Sequence, residues 1–181
     1  ADAPMPPAAL VSPAAHTIGK AWQMVDHGEL PQPRTAPAAH ASQLLALPEP
    51  NSYAIAAFWF AGERESAPDV RIAMSLLERQ TQTWRDAQWV VDRHAMGQAL
   101  GHGLRRLGNP VAWIDAQQRI HLFVVATGLG GWAASRVLHL RQAPGSTDLA
   151  NLQLDVVRVL PLSWLWNTSH LVRNPPLTLA D

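Results

Sequence analysis

Cysteine is absent from the 181 residues, which excludes disulfides and thiolate-bound metals and leaves the redox compartment open. Lysine is nearly absent too: Lys20 is the only one, so the basic residues are almost all arginine. Arginine's planar fork suits carboxylates and phosphates, although a GC-rich genome produces the same bias. The formal net charge is zero, so no bulk field draws nucleic acid or an anionic membrane. No run of about 18 apolar residues is long enough to suggest a membrane span. Tyrosine occurs once, at Tyr53.

What is present is a globular composition, 48% apolar, in a chain long enough to bury one sizeable core. The first 18 residues are rich in alanine and proline, and Pro4, Pro6, Pro7 and Pro13 interrupt any helix or ladder. Such a start resembles a mature end after signal-peptide cleavage, which points to a periplasmic or secreted bacterial protein; a trimmed chain would begin the same way. Ala21–Leu30 has a short strand-like alternation, and Pro31–Pro37 reads as a linker. Residues 1–38 are thus expected to form an irregular lead with one short strand.

From residue 39 the pattern is all-β. Two apolar runs in SQLLALPEPNSYAIAAFWFA flank a Pro/Asn turn. DVRIAMSL alternates, ERQTQTW is a turn, and DAQWVVD is a fourth strand. His94–Leu107 interrupts with helical spacing at Met96, Leu100, Leu104 and Leu107, loosened by Gly97, Gly101 and Gly103. NPVAWID, RIHLFVVAT, ASRVLHL and LQLDVVRVL then form a second set of four. Each set has the makings of one antiparallel four-stranded blade or sandwich sheet. Asn109-Pro110 and the apolar run to Asp115 are echoed by Asn174-Pro175 and the run to Asp181, a weak internal repeat. The expectation is about two blades plus the first strand of a third. Such a fragment would expose a long sheet edge, so the missing blades are expected on a second polypeptide.

The stretch AFWFAGERESAPDVRIAMSLLERQTQTW (Ala57–Trp84) resembles the first blade of the BNR/Asp-box sialidase-like family, where a strand leads to a G-x-R-E-G-A-x-D-V loop, another strand, and an S-x-D-x-G-x-T-W turn. LGNPVAWIDAQQRIHLFVV, GLGGWAASRV and LVRNPPLTLAD resemble that family's later pieces in the same order. The turn is degenerate: Ser75, Thr83 and Trp84 match, while Glu78 and Gln80 stand near the aspartate and glycine positions. The family's F/Y-R-I-P arginine is missing, with His40-Ala41-Ser42 on the corresponding strand. The resemblance implies a six-bladed β-propeller with antiparallel four-stranded blades, of which 39–181 is the N-terminal part.

By that resemblance, Arg64 corresponds to a carboxylate-binding arginine and Asp69 to the acid/base aspartate of a glycosidase acting on an acidic glycan. A structural alternative stands beside each: Arg64 pairing with Glu65 or Asp69, and Asp69 capping the turn after Pro68. Glu65, His40, Asn109, Arg173 and Asn174 are candidates for ligand contact around the channel. Trp132 in GLGGW is either a sugar-stacking platform or an inter-blade tryptophan, as Trp59, Trp84 and Trp113 can be. His94 and His102 lack metal-ligand spacing, and His121 and His139 read as core or surface residues, so neither metal nor cofactor is expected. The activity expected is that of a sialidase-like hydrolase. The alternative is a non-catalytic propeller binding glycan or protein.

Overall fold

The computed structural model describes residues 27–64, 69–91, 93–160, 172, 174–177 and 179. Two four-stranded antiparallel sheets account for most of it. The first contains β1 (Ala38–Ala46), β2 (Tyr53–Gly62), β3 (Arg71–Glu78) and β4 (Gln88–Trp89), hydrogen-bonded in that order. Helix α1 (Arg93–Leu100) intervenes. The second sheet contains β5 (Arg106–Ile114), β6 (Ile120–Thr127), β7 (Arg136–Gln142) and β8 (Leu154–Val159), again in sequence order. Both expected sets of four are therefore present, with a tight hairpin between β5 and β6 and longer connections elsewhere, such as the one from β7 to β8.

Some expected boundaries move. The helix is shorter than His94–Leu107, because Gly101 takes a positive φ of 74° and ends it, and β5 has already begun at Arg106. DAQWVVD pairs only at Gln88 and Trp89. His27–Leu30 has no regular structure, while the rest of the expected Ala21–Leu30 strand lies outside the described residues.

The packing explains why YAIAAFWFAG and IHLFVVAT read as continuous apolar runs. β2 is buried on both faces from Ala56 to Gly62, and all eight residues of β6 are buried. One face of sheet one presents Ala56, Phe58, Phe60, Ile72, Met74 and Leu76. It packs on Ala112, Leu122, Val124, Ala126, Leu138 and Leu140 of sheet two. Phe58, Ile72, Met74 and Leu122 are completely buried in this layer. Burying one such side chain is worth roughly 1.5–3 kcal/mol, so this shared layer is the main cohesive element. On the far face of sheet one, Ala57, Trp59, Ala61 and Ala73 are covered by Leu30 and Ala36 of the lead, with Trp84, Ala87 and Trp89 alongside.

Two glutamines stitch the sheets at their edges. The Gln43 side chain donates to the Ala112 carbonyl at 3.3 Å and accepts from the Ala112 amide at 2.8 Å, acting as a short extra strand between β1 and β5. At the other edge, Gln88 Nε2 donates to the Leu149 carbonyl at 2.9 Å.

Candidate functional site

The site begins with an irregularity repeated in both first strands. β1 pairs with β2 in one register up to His40–Phe60 and in another from Gln43–Phe58, so Ala41 and Ser42 bulge. β5 does the same between Gly108–Val125 and Val111–Phe123, so Asn109 and Pro110 bulge. Proline has no amide to lend to a ladder, which suits it to this position. Bulges re-aim side chains and recur next to functional sites. Ala41 adopts φ 52°, a left-handed conformation costing a non-glycine residue about 1–2 kcal/mol.

A cavity of about 350 Å3 lies between the bulges, lined by Ala41, Ser42, Gln43, Pro110, Val111, Asn174 and Pro175. Residues of β1, of β5 and of the 174–175 segment thus meet at one cavity. His40 is not among the lining residues. Its partner Phe60 matches Val125, the partner of Gly108, so His40 is one step out of phase with Asn109. It lines instead a cavity of about 310 Å3 with Glu29, Gln32, Ser42 and Trp59, on the lead's side of sheet one. Trp59 donates from Nε1 to Gln32 Oε1 at 3.1 Å, which fixes it as a packing residue of that face.

The β2–β3 loop leaves the same end of sheet one at which β1 starts, since Ala38 pairs with Gly62. Asp69 Oδ2 accepts the Glu63 amide at 2.9 Å and closes this loop. Gly62 is required beneath it: a Cβ there would sit 2.9 Å from Val70 Cγ2. Arg64 is exposed on the loop. Arg93 braces the loop's exit through the Val70 carbonyl and reaches the Leu104 carbonyl at 3.2 Å. Burial, together with nearby Arg71, pulls the Arg93 guanidinium below its ordinary value, while Asp69 acts in the opposite direction. Asp69 thus faces cations as well as the loop backbone. Arg71 itself stacks over Trp89 at 4.4 Å.

Of the other expected site residues, Trp132 falls in a short 3-10 helix, Gly131–Ala134, which begins at the last glycine of GLGGW. Asn109 is in the β5 bulge, and Asn174 is exposed at the cavity rim. Glu65 and Arg173 lie outside the described residues. Among the described residues no group of three or more His, Asp or Glu side chains could hold a metal ion, and no helix is long and apolar enough to cross a membrane.

One polar assembly escapes sequence reading. The Asp115 carboxylate, at the β5–β6 hairpin, accepts from the Gln117 and Arg119 amides and from Arg119 Nε, all at 2.8–2.9 Å. Its Oδ2 is also 2.9 Å from His121 Nε2, and His121 Nδ1 is 2.8 Å from His139 Nε2. Burial pushes the Asp115 carboxyl up, but the His121 bond and the Arg119 backbone, side chain and charge outweigh it and hold it at about 2. His139 is held down at about 4 by burial first, then by the charges of His121, Arg158 and Arg141. The available signal was parity: His121, Phe123 and Val125 share one face of β6. The partner on β7 is fixed only by the register.

Sequentially ordered antiparallel sheets, packed face to face with bulged first strands around one cavity, define a repeat-built β protein. A family model described as BNR repeat-like domain matches residues 53–181. The chain belongs to this family, in keeping with its sialidase-like motifs. No curated protein and no solved structure matches the chain.

Proposed function

We propose that this chain forms part of a six-bladed sialidase-like β-propeller whose channel mouth binds carbohydrate. The observation that carries the reading is the cavity where both bulges and Asn174-Pro175 meet. Ser42 and Asn174 supply the hydroxyl and carboxamide that a sugar's hydroxyls recognise, and the strained Ala41 holds the bulge in shape. The blades beyond those described are proposed to close the ring, on this polypeptide or a second one.

Within that reading the ligand is an acidic glycan, with Arg64 as the carboxylate binder on the adjacent loop. Asp69, Glu65, His40, Asn109, Trp132 and Arg173 are the remaining proposed contacts. Two functions follow. In the binding-only form the channel mouth recognises glycan without cleaving it. The anchoring of Asp69 to the Glu63 amide favours this form, because a loop-closing carboxylate is less free to shuttle protons. In the hydrolytic form Asp69 serves as acid/base and Arg64 orients the substrate; their sharing one loop favours it.

The test is to titrate the full chain with sialyl and uronic-acid oligosaccharides by calorimetry and to assay reducing-end release in parallel. Asn174→Ala and Ser42→Ala should each weaken binding at least about tenfold if one hydrogen bond to the sugar is lost with its partner left unpaired. Unchanged affinity in both variants would refute the site. Release abolished by Asp69→Asn, with affinity kept, would select the hydrolytic form. Saturable binding without release would select the other.

A further inference from the structure

The Asp115–His121–His139 chain lies on the face of sheet two that points away from sheet one, and none of its three residues lines the cavity between the bulges. Val111, Phe123, Val125 and Val137 make up the apolar part of that face, and Leu160, Val172 and Trp113 pack on it. Phe123 stacks on the His139 ring at 4.7 Å, and the His121 ring meets it edge to edge, nearly coplanar, with centroids 5.1 Å apart. His139 Nδ1 is buried and has no hydrogen-bond partner among the described residues.

The proton positions follow from the bonding pattern. The ionised Asp115 is an acceptor only, so His121 Nε2 carries a proton and donates. The His121–His139 contact at 2.8 Å then needs one proton between its two nitrogens. With both rings neutral, that proton sits on His139 Nε2, and His139 Nδ1 is a bare lone pair. Adding one proton at His139 Nδ1 allows the Nε2 proton to pass to His121 Nδ1. The charge then rests on the His121 imidazolium against Asp115, and His139 is neutral again in its other tautomer, now an N–H donor at Nδ1. One proton enters and none is lost.

We propose that this relay is a proton-operated polarity switch, in which uptake of one proton at the outer face of sheet two turns His139 Nδ1 from hydrogen-bond acceptor into donor. The charged groups around it favour this route over a charge on His139. Asp115 and Arg119 flank His121 from the hairpin, with Arg141 of β7 as its cross-strand partner and Asp155 of β8 beyond that arginine. His139 has no carboxylate against it and pairs with Arg158 of β8, so the charge is better held at His121. Leu160 and Val172, which pack on this face, therefore meet an acceptor in one state and a donor in the other.

Sheet one supplies the control. Its Phe58–Met74 pair occupies the place of Phe123–His139, so methionine is already compatible with this position in the repeat. Ring-nitrogen NMR of the unsubstituted chain, run from about pH 8 to about pH 5 across the ordinary histidine range, reads the switch directly. His121 should become doubly protonated, while His139 stays neutral and changes from the Nε2–H to the Nδ1–H tautomer. A His139 that becomes an imidazolium in that range, or keeps one tautomer throughout, overturns the proposal. In parallel, His139→Met should remove more than about half of the acid-induced drop in unfolding midpoint. An undiminished drop in that variant counts equally against it.

Discussion

The two sheets are built on one plan and filled with opposite chemistry. Phe58 pairs with Met74 in sheet one as Phe123 pairs with His139 in sheet two, and Phe60 with Ile72 as Val125 with Val137. Ala56 of sheet one corresponds to His121 of sheet two, and Gln43 to Val111, each beside its bulge. The face of sheet one is dry because sheet two lies on it. The same face of sheet two carries two histidines tied to a carboxylate. A repeat therefore conserves strand order, register and bulge while leaving the outward layer free to hold polar groups, provided each is hydrogen-bonded.

The largest test of that contrast is Phe58→Ala against Phe123→Ala. Phe58 is wholly buried between the sheets, so its truncation should cost about 3–5 kcal/mol in denaturant unfolding. Phe123, 8% exposed on the outer face, should cost distinctly less. Equal losses would mean that the outer face is as tightly covered as the inner one. Next comes Asp115→Ala, which strips partners from two amides, Arg119 and His121 together. A loss of about 3 kcal/mol is expected. Sheet one organises its corresponding hairpin differently, with Arg79 donating to the carbonyls of Leu47, Asn51 and Tyr53.

The seam ranks third. Gln43→Ala leaves the Ala112 amide without its partner and should cost about 1–2 kcal/mol. Gln43→Val, which copies Val111 into sheet one, should cost as much if the glutamine bridges the sheets and nothing if it merely fills space. Equilibrium unfolding measures both.

The pH profile separates the sheets without mutation. His139 has a folded value of about 4 against an ordinary 6.5. The unfolded chain therefore binds that proton first, and stability present above about pH 6.5 is lost as pH falls toward 4. Asp115, at about 2 against 3.8, adds a further loss below about pH 3.8. Both groups lie in sheet two, so amide exchange there should quicken before that of β2 and β3. The smallest effect is expected at the surface pair Glu78–Arg85, 3.4 Å apart. Glu78→Ala should move stability by no more than about 0.5–1 kcal/mol.

Much of the fold was legible because local patterns carried it. Pro48 and Asn51 in the β1–β2 hairpin, the doubly apolar runs of β2 and β6, and the glycines closing α1 each act through neighbours in sequence. The candidate site was legible in part. The Asn-Pro repeat was visible in the sequence, and Pro110, Asn174 and Pro175 line one cavity. His40 lines a different cavity because a bulge slips the register by a residue, and a slip depends on the partner strand. The loop's Arg64 and Asp69 were found from a motif, but what Asp69 holds depends on where the Glu63 amide turns.

By itself, then, the sequence determined a β protein of two four-stranded sheets, free of disulfides, with one short helix between them. Composition, turn residues and apolar runs act over a few residues, and that range suffices for strands and hairpins. Only the tertiary structure decided which faces meet, that Gln43 bonds across 69 residues to Ala112, and that Asp115, His121 and His139 form one hydrogen-bonded chain. Those contacts join side chains distant in sequence, and their geometry comes from register and sheet packing, which no local pattern encodes.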